Sequence, residues 1–246
     1  MAGDARAVND LSLERDGAER FRELASDRLS ALEPLFTEGL RAGRRLKSTD
    51  ELVEIVGEGS PISRQVAERL GASARVVRAI AFDKRPGDNW SLGWHQDRTI
   101  CVKARHEVSG FRAWGRKQGL WHVQPPFSII ANMITARIHL DPVDAQNAPL
   151  RIALGSHRMG PVDDRYATRR ATELPEFQCC ADAGDVWLYA TPILHASARA
   201  SGHGRRVLQL DFAAEDLPSP LEWLYNDRPV RSQSKVKPSA SAAAMT

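Results

Sequence analysis

The sequence predicts a mainly β protein with flanking α-helices, built on a double-stranded β-helix, the cupin-like jelly roll. Three features point there. Apolar residues at helical spacing are confined to the first third of the chain; short runs rich in Val, Ile, Leu, Phe and Tyr recur from Arg75 onward; turn residues separate those runs. Short strands in series after a helical lead suit two packed sheets whose loops gather round one mouth.

In chain order, Phe21, Leu24, Leu29, Leu32, Leu35, Phe36 and Leu40 recur at helix spacing, and Pro34 kinks or splits that stretch. Ser48 and Glu51 have the spacing of a capping box for a short helix through Val56. Ser60 and Pro61 suit an N-cap and first turn, and Gly71 suits the end of that helix. Strands are expected at Val76–Phe82, Leu92–Asp97, Met133–Leu140, Leu150–Leu154, Glu176–Cys179, Val186–Tyr189 and Arg205–Phe212. The insertion Arg98–Phe127 lacks clear periodicity, and a loop of that length reads as a lid or binding segment. These elements make one domain over residues 1–230, with a helical lead at 1–72 and the roll at 73–213. Residues 231–246, rich in Ser, Lys, Pro and Ala, read as a disordered tail.

Composition narrows the function classes. A chain of 246 residues, 42% hydrophobic and 26% charged, can bury one full core. No apolar run approaches the roughly 20 residues of a membrane span, and Met1–Arg15 is too polar for a secretory signal. Three cysteines, two of them the adjacent Cys179 and Cys180, make no disulfide framework, so a reducing, cytoplasmic setting is expected. The net charge of +3 is slight and the basic residues are interleaved with acids, so neither nucleic acid nor membrane is expected as a partner. The densest basic patch, Arg41, Arg44, Arg45 and Lys47, reads as a solvated helix end.

The chemistry-bearing pattern is Trp94-His95-Gln96-Asp97, answered far downstream by His195. Two imidazoles and one carboxylate form the facial triad that holds non-haem Fe(II) and leaves other positions open. His95 and Asp97, two apart, point to one face of an extended strand. Behind His195 stand Ser197 and the pair Arg205-Arg206, opening a strand; a guanidinium there would grip a carboxylate with two prongs. Neighbouring strand residues face opposite ways, so only one of the two arginines can reach the site.

With Asn147-Ala148-Pro149-Leu150 leading into Gly155-Ser156-His157, and Ala183-Gly184-Asp185-Val186 before the distal histidine, the chain resembles the phytanoyl-CoA dioxygenase family of Fe(II)- and 2-oxoglutarate-dependent oxygenases over Val76–Ala213. The resemblance implies His95, Asp97 and His195 as iron ligands. It implies Arg206, eleven residues after His195, as the partner of the distal carboxylate of 2-oxoglutarate, with Ser197 assisting. More weakly, it implies Arg137 as a further co-substrate contact. Ala148 stands where glycine is common and Leu154 where proline is common. The activity implied is hydroxylation of a small-molecule substrate with O2, releasing succinate and CO2; relatives that halogenate lack the carboxylate that Asp97 supplies. Arg98, Arg105, Arg112 and Arg116 in the insertion suggest a carboxylate-bearing metabolite. The alternatives are a metal enzyme of the same roll that needs no 2-oxoglutarate, or a non-catalytic binding protein.

Overall fold

The computed structural model describes residues 10–36, 43–47, 52, 55, 57, 59–85, 89–200 and 203–225. Among these, thirteen strands form three antiparallel sheets. The largest runs in the order β1 (Ala18–Phe21), β11 (Val186–Ala190), β8 (Met133–His139), β13 (Arg205–Ala213), β3 (Arg75–Lys84) and β2 (Arg44–Arg45). The second runs β10 (Glu176–Cys179), β9 (Leu150–Ala153), β12 (His195–Ser197), β4 (Leu92–His95). The third is β5 (Ile100–Val102), β7 (Leu120–Gln124), β6 (Arg112–Lys117).

Side-chain alternation sorts the large sheet into two faces. Ala136 and Ile138 of β8, Leu208, Leu210 and Phe212 of β13, and Leu188 of β11 point outward. They join one buried cluster with Leu32, Leu35, Phe36, Ile62 and Val66 from the N-terminal segment. The other face looks into the roll, where Trp187 and Tyr189 of β11 pack on Leu150 and Ile152 of β9 and so join the first two sheets. The two sheets therefore form the expected jelly roll, with the outer side covered by short helices. The longest of these, Pro61–Leu70, starts as expected: the Ser60 hydroxyl accepts from the Ser63 amide, and Gly71 follows its last turn.

The structure departs from the sequence expectations at several points. The stretch expected to be helical contains β1, whose register places Arg20 opposite Trp187. Arg20 reaches the buried carboxylate of Asp185, and Gly17 at φ 82 makes the turn into the strand. Pairing along the edge of a large sheet here outweighs local helical spacing. Arg44 and Arg45 are not a helix end but an edge strand against Ala81 and Ile80. The insertion Arg98–Phe127 is not a structureless lid; it contains the third sheet, packed through Ile100, Val102 and Val123 onto Trp223. Its hairpin tip is tied down: Gln118 accepts from the Arg45 amide (2.8 Å) and donates to the Gly43 carbonyl (2.8 Å). Leu40, the capping box at Ser48 and the tail 231–246 lie outside the described residues. No helix among the described residues is long and apolar enough to cross a membrane.

Candidate functional site

The mouth of the roll holds a cavity of about 590 Å³. His95 ends β4 and His195 opens β12, and the two are direct cross-strand partners with ring centroids 4.2 Å apart. Asp97 lies just beyond the end of β4, so it joins the pair from the unpaired segment between β4 and β5 rather than from a paired strand. That segment is held by Gln96, whose side chain donates to the carbonyls of Pro192 (2.8 Å) and Gly160 (3.0 Å) and accepts from the Val162 amide (2.8 Å). Pro192 precedes His195 by three residues, so one buried amide ties both ligand-bearing segments together.

One ligand atom each from His95, Asp97 and His195 lies within 4.8 Å of the others. Each imidazole donates through Nδ1 to a backbone carbonyl two residues before it, Gly93 (2.8 Å) and Ile193 (2.9 Å). That leaves both Nε2 lone pairs for a common acceptor and fixes the tautomer a metal requires. Burial, aided by His95, lowers His195 to about 4, so it is neutral at ordinary pH. Burial works to raise the Asp97 carboxyl, but Arg78, with His195, His95 and Arg137, outweighs it and holds the group below its ordinary value. Two imidazoles and a carboxylate on one side, open cavity on the other, is a donor set that fits Fe(II).

Deeper in the same cavity stand Lys84, Arg137 and Arg205. Arg205 is 4% exposed and, among the described residues, its Nε and Nη1 have no hydrogen-bond partner; Arg137 Nε has none either. Arg137 donates through Nη1 to Gln209 (3.0 Å). Burial and the neighbouring Arg137 lower Arg205 to about 9, while burial, Arg205 and Arg137 lower Lys84 to about 7. Lys84 donates to the Trp90 carbonyl (2.8 Å), the Ala198 carbonyl (2.9 Å) and the Ser197 hydroxyl (3.1 Å). Cations crowded together with unused buried donors are costly unless an anion joins them. The residues fit a dicarboxylate such as 2-oxoglutarate, one end at the metal and the other among the cations.

The site corrects one expectation from the sequence. Arg206 does not reach this cavity. It lies on the opposite face of β13, where its guanidinium holds Asp141 (2.7 Å) and its amide donates to the same carboxylate (2.7 Å). The strand's parity decides this: Arg205, Val207, Gln209 and Asp211 face inward, whereas Arg206 shares a face with Leu208 and Leu210. Ser197 and Arg137 do line the cavity.

The phytanoyl-CoA dioxygenase (PhyH) family model matches residues 15–207, most of the chain. The chain belongs to the phytanoyl-CoA dioxygenase family. Like the family, it is a non-haem iron enzyme dependent on 2-oxoglutarate. No curated protein matches it by sequence. Among solved structures it is similar in fold to EctD from S. alaskensis in its apoform, at 15% identity and TM-score 0.62 over 88% of this chain and 80% of that one. AviO1 from Streptomyces viridochromogenes Tue57 is 20% identical, with TM-score 0.58, over 84% of this chain and 93% of that one. HygX from Streptomyces hygroscopicus, crystallised with nickel, 2-oxoglutarate and hygromycin B, is 12% identical, with TM-score 0.55, over 82% of this chain and 84% of that one.

Within this member of the phytanoyl-CoA dioxygenase family, the aromatic and basic residues near the site divide. Trp90 and Trp94 line the cavity, whereas Trp114 and Trp121 pack edge-on against each other beneath Arg105 and Arg116. Arg105 is further engaged by Glu107 (2.6 Å). Arg98 lines the cavity but is held by Asp164 (3.0 Å), and Arg112 lines an adjoining cavity of about 490 Å³ that shares Gln96, Asp97 and Arg98 with the first. Two basic residues that sequence reasoning did not place there, Arg45 and Lys117, also face the main cavity. Of the other histidines, His139 is fully buried. His122 accepts from Arg45 Nε (3.2 Å) and lies 3.0 Å from the Cys101 thiol.

Proposed function

We propose that this enzyme hydroxylates a small or medium carboxylate-bearing metabolite, with His95, Asp97 and His195 as the iron ligands and Arg205 in place of Arg206 as the anchor of 2-oxoglutarate. The single observation that carries the reading is the continuous cavity with the His95–Asp97–His195 triad at one end and the partnerless Arg205 and Arg137 nitrogens at the other. O2 is the oxidant: with Fe(II) and 2-oxoglutarate bound, one of its oxygen atoms would enter the substrate as hydroxyl and the other the co-substrate, which would leave as succinate and CO2. Arg205 offers a planar fork to the distal carboxylate. Ser197 accepts from Lys84, so its own proton is free to point at the same carboxylate. Phe82 lies under Arg137 at 5.5 Å and helps keep the deep end dry.

The substrate enters from the side of Arg45, Arg98 and Lys117. The anion preference rests on Arg45 and Lys117, with Arg112 in the adjoining cavity; Arg98, Arg105 and Arg116, occupied by Asp164, Glu107 and Trp121, are withdrawn from it. A screen of small carboxylates, read as stimulated succinate release, tests the class. Arg45→Ala and Arg112→Ala are expected to raise the apparent KM of a responding acid about tenfold. Unchanged values in both would remove the basis for an anionic substrate.

The chemistry is tested without a substrate. Fe(II) followed by 2-oxoglutarate, under exclusion of oxygen, is expected to produce the visible iron-to-keto-acid charge-transfer band in wild type and not in His195→Ala. Bound iron without any band in wild type would instead favour a metal enzyme that needs no 2-oxoglutarate.

A further inference from the structure

One buried ion cluster stands beside the carboxylate of the triad, with Arg78 among the residues that line the cavity. Arg78, on the inner face of β3, is 6% exposed and fully engaged. Its Nη2 donates to Asp97 Oδ2 at 3.2 Å, its Nη1 donates to the Thr99 carbonyl at 3.0 Å, and its Nε donates to Asp211 Oδ2. Asp211, on β13 directly opposite Arg78 in register, is 1% exposed. Its other oxygen accepts from the Thr135 hydroxyl at 3.1 Å, and Thr135 in turn meets the Thr191 hydroxyl at 3.0 Å. Thr191 lies four residues before His195. A chain of hydrogen bonds therefore runs from the segment carrying His195, across β8 and β13, to the carboxylate of Asp97.

We propose that Arg78, held in place by Asp211, is a positioning residue for the metal centre: it occupies one oxygen of Asp97 and presents the other as a single ligand. The inference rests on the reading of Asp97 as an iron ligand. The physical reason is geometric. A free carboxylate two residues past a histidine, beyond the end of the strand, can rotate about its side-chain bonds and can offer one oxygen or two. With Oδ2 taken by a guanidinium that three acceptors immobilise, Oδ1 alone remains for the metal, at a fixed distance from His95 and His195. Asp211 is needed because without it Arg78 would keep only Asp97 and the Thr99 carbonyl, and its Nε would be left without an acceptor. It also balances a cation that would otherwise lie buried beside a divalent metal. Without Arg78, two carboxylates would be left buried on either side of the gap.

Hydrogen-bond partners of metal ligands commonly tune metal affinity by about 10–100-fold, and that is the effect expected here. The test is metal binding itself, measured anaerobically by competition of Fe(II) against a chromophoric chelator, with Co(II) as a second probe whose visible ligand-field bands report the number and geometry of ligands. Arg78→Met is expected to weaken Fe(II) binding about 10–100-fold and to alter the Co(II) bands. Asp211→Asn, which keeps shape and burial, is expected to weaken it about tenfold. Both losses are expected to vanish in an Asp97→Ala background, since a residue that acts only through Asp97 has nothing left to act on.

If Arg78→Met does not fold, Asp211→Asn carries the decision. A folded Asp211→Asn or Arg78→Met variant with wild-type metal affinity and unchanged Co(II) bands overturns the inference and leaves the iron reading intact. An equal loss with and without Asp97 overturns it as well, because it marks Arg78 as general support for the fold. Failure of wild type to bind either metal is a different result: it removes the triad itself and this inference with it.

Discussion

The two faces of the central sheet are made by the same strands and do different work. On the outer face of β8 and β13, Ala136, Ile138, Leu208, Leu210 and Phe212 pack against Leu32, Leu35 and Phe36, with no charged group among them. On the inner face of those strands and β3 stand Arg78, Lys84, Arg137, Arg205, Gln209 and Asp211, nearly as well buried. The outer face has its partners within the chain and contributes stability. Among the described residues, the inner face has donors left over, Nε and Nη1 of Arg205 and Nε of Arg137. Alternation lets one strand serve both purposes, so a shift of one residue along β13 exchanges a ligand-binding side chain for one on the covered side. Arg205 and Arg206 show this at the smallest scale.

The largest expected effect lies on the outer face. Leu210→Ala is expected to cost about 2–5 kcal/mol of stability in denaturant unfolding, while 2-oxoglutarate affinity per folded molecule stays within about twofold. A loss of affinity matching the loss of stability would show that the two faces are not separable. Next comes the arginine pair. Arg205→Ala is expected to weaken 2-oxoglutarate binding about 100-fold, roughly 2.7 kcal/mol, read from the charge-transfer band. Arg206→Ala, which gives up a partly exposed ion pair with Asp141, is expected to change it less than about threefold. The reverse order would return the co-substrate contact to Arg206. Lys84→Met removes the donor that orients Ser197, and an intermediate loss of about tenfold is expected in the same titration.

The smallest effect is a pH dependence. His122 is lowered to about 4 and His139 well below its ordinary value, both chiefly by burial. The unfolded chain, titrating at about 6.5, binds more protons than the native state between pH 6.5 and 4, so stability falls as pH falls through that window. Urea midpoints at pH 7.5 and 5 check this. The drop is expected to shrink in His139→Gln, and an unchanged drop would place the acid sensitivity elsewhere.

Much of the fold was legible in local pattern. All seven expected strands occur, most within a residue or two of their predicted bounds, because each is a run of β-formers closed by turn residues. β1 and β2 were not legible, since each is an edge strand whose only support is pairing with a distant partner. The short β12 carries just three residues and took its strand form from β9 and β4. At the site, His95, Asp97 and His195 stood out by residue type and order. Arg205 could have been found from the same sequence: Gln209 and Asp211 share its parity, and a polar, inward-facing stripe on a strand whose other face reads Leu208, Leu210, Phe212 marks the ligand side. The eleven-residue count favoured Arg206 because it ignored that parity.

By itself the sequence determined which residue types are available and how they alternate: the His-x-Asp pair, the distant histidine, the strands and their two faces. These follow from steric and hydrophobic periodicities that act over a few residues. Only the tertiary structure decided that the insertion is a docked sheet and that Arg78 and Asp211 stand behind Asp97. Those facts depend on strand register and on partners from 19 to 133 positions apart, a range over which local preference carries no information and burial of apolar surface and charge makes the selection.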